Sequence, residues 1–237
     1  MDAPQQQGKS LEKVLTIRIR LAVDGCSFYC SMDKDAVPKD FYPLAEHDTL
    51  ADMMRRVVGG DGIVPANFVR VEVEVDTDRL ILLPNTAYEP GMEEGYLAVN
   101  NISYRSDEAV VISPSFGIRA IMIAPRDLVE FLNNQWEGRV SYTSPILESI
   151  YRKKRGTLEV NLTRRFAYFT VIEDKLDYAE VFPYEGVPDL LYYLKRLETS
   201  YNLQNCTILV MGHQASAVIK KLAGYYRSVI GYAHYQW

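Results

Sequence analysis

The chain has 237 residues, 48% of them apolar and 24% charged, with a formal charge of −5. This balance excludes a disordered or fibrous chain, and the length is sufficient to bury a core without help from a disulfide or a metal. An acidic chain whose arginines are not interleaved with aromatic platforms also argues against nucleic acid as a partner.

Residues 1–13 read as a frayed polar tail without an apolar segment that could direct secretion, so a cytoplasmic protein is expected. Residues 15–23 alternate apolar and mostly polar side chains, the pattern of a strand with one buried face. After the turn signal Asp24-Gly25, the alternation of Cys26, Phe28, Cys30 and Met32 with Ser27, Tyr29 and Ser31 predicts the second arm of a hairpin. Residues 36–44 extend it to a three-stranded meander. Leu50, Met53, Met54 and Val57 then recur at helical spacing behind the caps Asp48 and Thr49, and Gly59-Gly60-Asp61-Gly62 ends that helix. Val69, Val71, Val73 and Val75 give a fourth strand, so the first unit reads β-β-β-α-β.

The middle is less regular. Residues 80–84 form a short strand and residues 84–94 a connection rich in proline, glycine and acid. A hairpin over 109–113 and 118–123, a helix after Pro125, a strand over 140–143 and a helix over 145–155 follow. The last helix closes on Arg152-Lys153-Lys154-Arg155, cations that complement a helix C-terminus. The longest apolar run, 118–124, contains Arg119 and falls short of the ~18 residues a membrane helix needs.

The opening pattern then returns. Strands over 158–162, 166–172 and 176–183, a helix over 188–201, a strand over 206–211 and a helix over 215–226 give β-β-β-α-β-α. At a fixed offset of 141 residues, Leu21, Phe28, Asp33, Lys34, Phe41, Asp48, Leu50 and Arg55 coincide with Leu162, Phe169, Asp174, Lys175, Phe182, Asp189, Leu191 and Arg196. The identities and the matching element order point to an internal duplication. The expected organisation is α/β: a tail over 1–13, an N-terminal lobe with additional elements over 14–156, a C-terminal lobe over 157–237, and a cleft between the lobes.

A tandem β-β-β-α-β-α plan is that of the actin, Hsp70 and sugar-kinase fold, a relative of the ribonuclease H fold. Residues 15–31, the run Arg79-Leu80-Ile81-Leu82-Leu83-Pro84 and residues 165–212 resemble a family of uncharacterised Bacteroidetes proteins with an actin-like ATPase fold. The resemblance spans nearly the whole chain and rests on hydrophobic patterns rather than catalytic residues, so it speaks to fold more than to activity. It implies candidate contacts for ATP and magnesium: Asp24, Gly25 and Ser27 in the first turn, and Gly212 beside an adenosine. In the second turn Asp24 and Gly25 fall on Arg165 and Phe166, so that turn has neither carboxylate nor glycine, and Arg165 is the residue left to meet a phosphate.

Other constellations are absent. No Ser/His/Asp set, His-Glu-x-x-His motif, zinc-type cysteine spacing or nucleophile elbow occurs. Gly59-Gly60-Asp61-Gly62 lacks the Lys-Ser/Thr of a phosphate loop. Cys26 and Cys30, about 13 Å apart along a strand, cannot pair, and with Cys206 they read as reduced apolar residues. His213, following a buried strand, is the histidine best placed for a ligand site. The aromatic tail Tyr225, Tyr226, Tyr232, Tyr235 and Trp237 suits either packing or an interface. The favoured expectation is a non-catalytic binding or scaffold module for a protein partner, with a degenerate nucleotide site. The alternative is an ATP-binding protein or sugar-kinase-like phosphotransferase.

Overall fold

The computed structural model describes residues 16–31, 39–60, 68–114, 117–152 and 156–236. The tail 1–13, residues 32–38, the glycine loop at 61–62, residues 153–155 and Trp237 lie outside the described residues.

Strand β1 (Thr16–Ala22) pairs antiparallel with β2 (Gly25–Ser31) across a two-residue turn, Val23-Asp24, with Ala22 opposite Gly25. β3 (Lys39–Pro43) continues the meander. Helix α1 (Leu50–Gly59) starts at Thr49, whose hydroxyl accepts from the Asp52 amide at 3.1 Å while the Asp52 carboxylate accepts from the Thr49 amide at 3.3 Å. This reciprocal cap satisfies two amides that a bare helix end would leave open. α1 carries the chain back so that β4 (Arg70–Val75) runs parallel to β1, Thr16 beside Arg70.

An excursion follows: β5 (Leu80–Pro84), a 3-10 turn (Asn85–Ala87), α2 (Glu93–Val99), β6 (Glu108–Ile112) and β7 (Ile118–Pro125), which form a separate sheet of order β5-β7-β6. α3 (Arg126–Gln135) returns the chain to the first sheet, where β8 (Val140–Thr143) completes the order β3-β2-β1-β4-β8. After α4 (Pro145–Arg152), the second sheet assembles from β9 (Thr157–Leu162), β10 (Phe166–Ile172), β11 (Leu176–Pro183), α5 (Val187–Leu197), β12 (Thr207–Gly212), α6 (Ala215–Leu222) and β13 (Val229–Gln236). Its order, β11-β10-β9-β12-β13, repeats that of the first sheet strand for strand.

Each sheet buries one apolar face under two helices. Ile17, Ile19, Leu21, Val71 and Val73 pack with Met53 and Met54 of α1 and Leu128 and Leu132 of α3. Leu158, Val160, Leu162 and Phe169 pack with Leu190 and Leu194 of α5 and Val218 and Leu222 of α6. At roughly 1.5–3 kcal/mol for each fully buried large apolar side chain, these two clusters are the main stabilising term.

Four sequence expectations change. The alternation in β1 suggested one solvated face, yet Arg20 is 8% exposed and Glu74 0%, on a face where α4 brings Glu148 to Arg18. α2 lies where the chain beyond the acid-rich connection showed no pattern. α5 ends at Leu197 rather than residue 201, since Ser200 and Tyr201 turn back onto the Leu197 carbonyl. α6 ends at Leu222, and part of the aromatic tail forms β13, parallel to β12.

Candidate functional site

The two hairpin turns that open the lobes meet. Arg164, in the β9–β10 turn, donates from Nε to Asp24 Oδ2 of the β1–β2 turn at 2.8 Å. Its guanidinium also stands 4.2 Å from the ring centroid of Phe41 in β3. The first turn is anchored from behind by the Leu44 amide, which donates to the Asp24 carbonyl at 2.8 Å.

The remaining expected site residues are placed as follows. Gly25 has φ +153°, and a Cβ there would lie 2.2 Å from the Tyr42 carbonyl oxygen and 2.6 Å from the Phe41 ring. Gly212 has φ +91°, and a Cβ would lie 2.0 Å from the Leu162 carbonyl oxygen. Both glycines admit a neighbouring strand's backbone. Ser27 stands within the sheet, opposite Arg20 on β1 and Phe41 on β3. Arg165 is exposed, and its carbonyl accepts from the Tyr184 amide at 2.7 Å. Arg164, its neighbour, is the residue that reaches Asp24.

Beside the Asp24–Arg164 pair on the second lobe is a cavity of about 300 Å³ whose lining includes Arg164, Tyr184, Glu185, His213, Gln214 and Lys221. His213 is fixed there because its amide donates to the Leu162 carbonyl at 2.7 Å, continuing the β12–β9 ladder by one residue. Burial, and then the Arg164 charge, lower the His213 pKa, which favours a neutral imidazole at neutral pH.

Deeper between the lobes lies a charged group that sequence reading passed over. Asp76 caps the end of β4, its amide donating to the Leu21 carbonyl at 2.8 Å. The Tyr168 hydroxyl, from β10, donates to Asp76 Oδ1 at 2.8 Å and lies 3.1 Å from the Thr77 carbonyl. Burial pushes the Asp76 carboxyl up to about 7, against the pull of Tyr168, Arg20 and Thr163. The same burial, with the Asp76 charge, raises the Tyr168 pKa far above its ordinary value. Arg20 Nε forms a buried ion pair with Glu74 directly opposite it on β4. The available signal was position: Asp76 follows the C-terminal end of a parallel strand, where α/β sites gather, but Asp76-Thr77-Asp78 reads equally as a turn.

This arrangement can hold a proton on Asp76 near neutral pH and can present Arg164 to an anion. Among the described residues no group of three or more His, Cys, Asp and Glu side chains could hold a metal ion. Nor, among the described residues, is any helix long and apolar enough to cross a membrane.

The comparisons with known proteins agree with the architecture. A Bacteroides thetaiotaomicron protein of unknown function with an actin-like ATPase fold superposes with a TM-score of 0.75 at 18% identity, over 93% of this chain and 91% of that one. The PilM-PilN type IV pilus biogenesis complex matches with a TM-score of 0.53 at 12% identity, over 93% of this chain and 88% of that one. The fold is therefore the actin-like ATPase fold, with its two repeated lobes. No curated protein matches the sequence. The chain belongs to the DUF3822 family, described as a protein of unknown function, which it matches over residues 4–229.

Proposed function

We propose that this DUF3822 member is a cytoplasmic, non-catalytic binding module, in which the actin-like fold serves a protein partner and the nucleotide site is degenerate. The observation that carries this reading is the Asp24–Arg164 contact: the first turn's carboxylate is engaged by the opposing turn.

The residues fit a magnesium nucleotide poorly. A metal-binding role for Asp24 competes with the guanidinium 2.8 Å away, and the second turn supplies arginine instead of a second carboxylate. The space that Gly25 and Gly212 would leave for phosphate or adenosine is taken by the Tyr42 and Leu162 carbonyls. Among the described residues the second turn supplies no carboxylate to share a metal with Asp24, and Asp76, the carboxyl that titrates near neutral pH, is buried and hydrogen-bonded to Tyr168 rather than open to a nucleophile. The PilM-PilN complex, which pairs two proteins, is in keeping with the use of this fold as a binding module.

Isothermal titration with ATP and ADP, with and without Mg²⁺, tests the reading on the wild-type chain and on Asp24→Ala. No binding up to millimolar nucleotide is expected. Magnesium-dependent micromolar binding that Asp24→Ala abolishes would restore the ATP-binding or phosphotransferase alternative.

A further inference from the structure

The Asp24–Arg164 pair is incomplete on both sides. Arg164 uses Nε alone, so among the described residues its two terminal nitrogens have no acceptor. A guanidinium is built for two-pronged capture of a carboxylate, so half of its recognition capacity is unused. Asp24 Oδ1, for its part, is buried and has no hydrogen-bond donor among the described residues.

The pair is also accessible. The side chains of Arg164 and Asp24 are 45% and 37% exposed, so water weakens their contact and it can be exchanged for an incoming group. The cavity beside it adds a second cation. Lys221 lines it, and Glu185 is the one carboxylate among the described residues of its lining. The Arg164 guanidinium lies over the Phe41 ring, which fixes one of its faces while leaving its terminal nitrogens to donate at the edge.

We propose that Asp24 is an internal stand-in for a partner's acidic side chain: a carboxylate of an acidic segment in the protein partner displaces Asp24 from Arg164, and a neighbouring carboxylate reaches Lys221. The choice of a carboxylate follows from what Arg164 holds already, and the cavity of about 300 Å³ is at the small end for a bound ligand, suited to one or two side chains. The inference rests on the reading of the cleft as a binding site, and it makes Asp24 an autoinhibitory residue rather than a metal ligand.

The test is titration of a blocked hexaglutamate peptide, with hexaglutamine as the uncharged control, into the full chain and its variants at low and at physiological salt. Asp24→Asn removes the competitor and is expected to tighten hexaglutamate binding by about fivefold, the equivalent of roughly 1 kcal/mol. Adding Arg164→Gln to Asp24→Asn is expected to abolish the gain, Arg164→Lys to restore only part of it, and Lys221→Gln to weaken binding by a few-fold. Thermal midpoints of all variants confirm that each is folded. Equal affinity for wild type and Asp24→Asn, or a gain indifferent to Arg164→Gln, would overturn the inference. If neither hexaglutamate nor ATP binds, this inference fails while the non-catalytic reading stands. Magnesium-dependent ATP binding lost in Asp24→Ala would overturn both.

Discussion

The Tyr168 hydroxyl gives its hydrogen bond to Asp76 Oδ1 across 2.8 Å, and both side chains are buried. Tyr168 belongs to the second sheet and Asp76 follows the end of β4 in the first, so this bond ties the two lobes at the floor of the cleft. Arg20, Glu74 and Thr163 surround it. The lobes therefore meet through a polar layer as well as an apolar one, and the charge state of Asp76 enters the energy of their contact.

A pH dependence follows. Asp76 has a folded pKa of about 7 against an ordinary 3.8, raised chiefly by burial. Between those values the folded state binds more protons than the unfolded chain, so stability falls as pH rises through the window and levels off above about 7. The full penalty for ionising the buried group is about 4 kcal/mol. Denaturant midpoints at pH 5, 6, 7 and 8 are expected to fall for the wild type and to be markedly flatter for Asp76→Asn. Parallel slopes for the two proteins would show that Asp76 does not titrate there.

Tyr168→Phe isolates the hydroxyl. Removing the donor leaves a buried carboxylate oxygen without that partner, at a cost of about 1–3 kcal/mol. It also removes an interaction that lowers the Asp76 pKa, so the pH window should extend upward. In a double-mutant cycle with Asp76→Asn the two changes should be strongly non-additive. Additive losses would mean that the tyrosine contributes through packing alone.

The legible and illegible parts of the fold divide along physical lines. The core faces of β1, β4, β9 and β10 were readable because alternation identifies an apolar face wherever it lies. What covers the other face was not readable: Arg18, Arg20, Glu72 and Glu74 have the pattern of a solvated face, yet Arg20 and Glu74 are buried and Arg18 pairs with Glu148 of α4. α2 has a single buried residue, Leu97, and so no apolar stripe for periodicity to detect. β13 contains Gly231, which breaks its pattern where the strand passes the Ile219 side chain. In the second turn, a fixed offset aligns Arg165 with Asp24, but successive turn residues point in different directions, and it is Arg164 that crosses the cleft.

Two glycine positions separate crowding from backbone conformation. Gly212 and Gly91 have nearly equal φ, +91° and +88°, but a Cβ at Gly212 would sit 2.0 Å from the Leu162 carbonyl oxygen whereas one at Gly91 meets nothing within 4 Å. Gly91→Ala should cost about 1 kcal/mol, the conformational term alone. Gly212→Ala adds a backbone collision between β12 and β9 and should cost at least about 2–3 kcal/mol more, or prevent folding. Similar losses at the two sites, by chemical denaturation, would argue against close packing as the role of Gly212.

The two Arg–carboxylate pairs between these turns and strands should behave in opposite ways when broken. Arg20 and Glu74 are buried opposite each other on adjacent strands, with side chains 9% and 1% exposed, and Glu74 Oε2 has no hydrogen-bond partner among the described residues. Deleting one charge leaves the other in a poorly polarisable interior, so Glu74→Leu should destabilise by about 3–5 kcal/mol. The double variant Arg20→Met/Glu74→Leu should recover much of that loss, because it removes both desolvation costs and keeps the space filled. Asp24 and Arg164 remain in contact with water, and Asp24→Asn should move the unfolding free energy by less than about 1 kcal/mol. That contrast assigns the pairs separate tasks. Neither charge of the inner pair can be removed alone without loss to the fold, while the outer pair can open without unfolding the chain, as an exchange of acidic side chains at Arg164 requires. If Asp24→Asn proved as destabilising as Glu74→Leu, the outer pair would be part of the fold and no longer free to exchange.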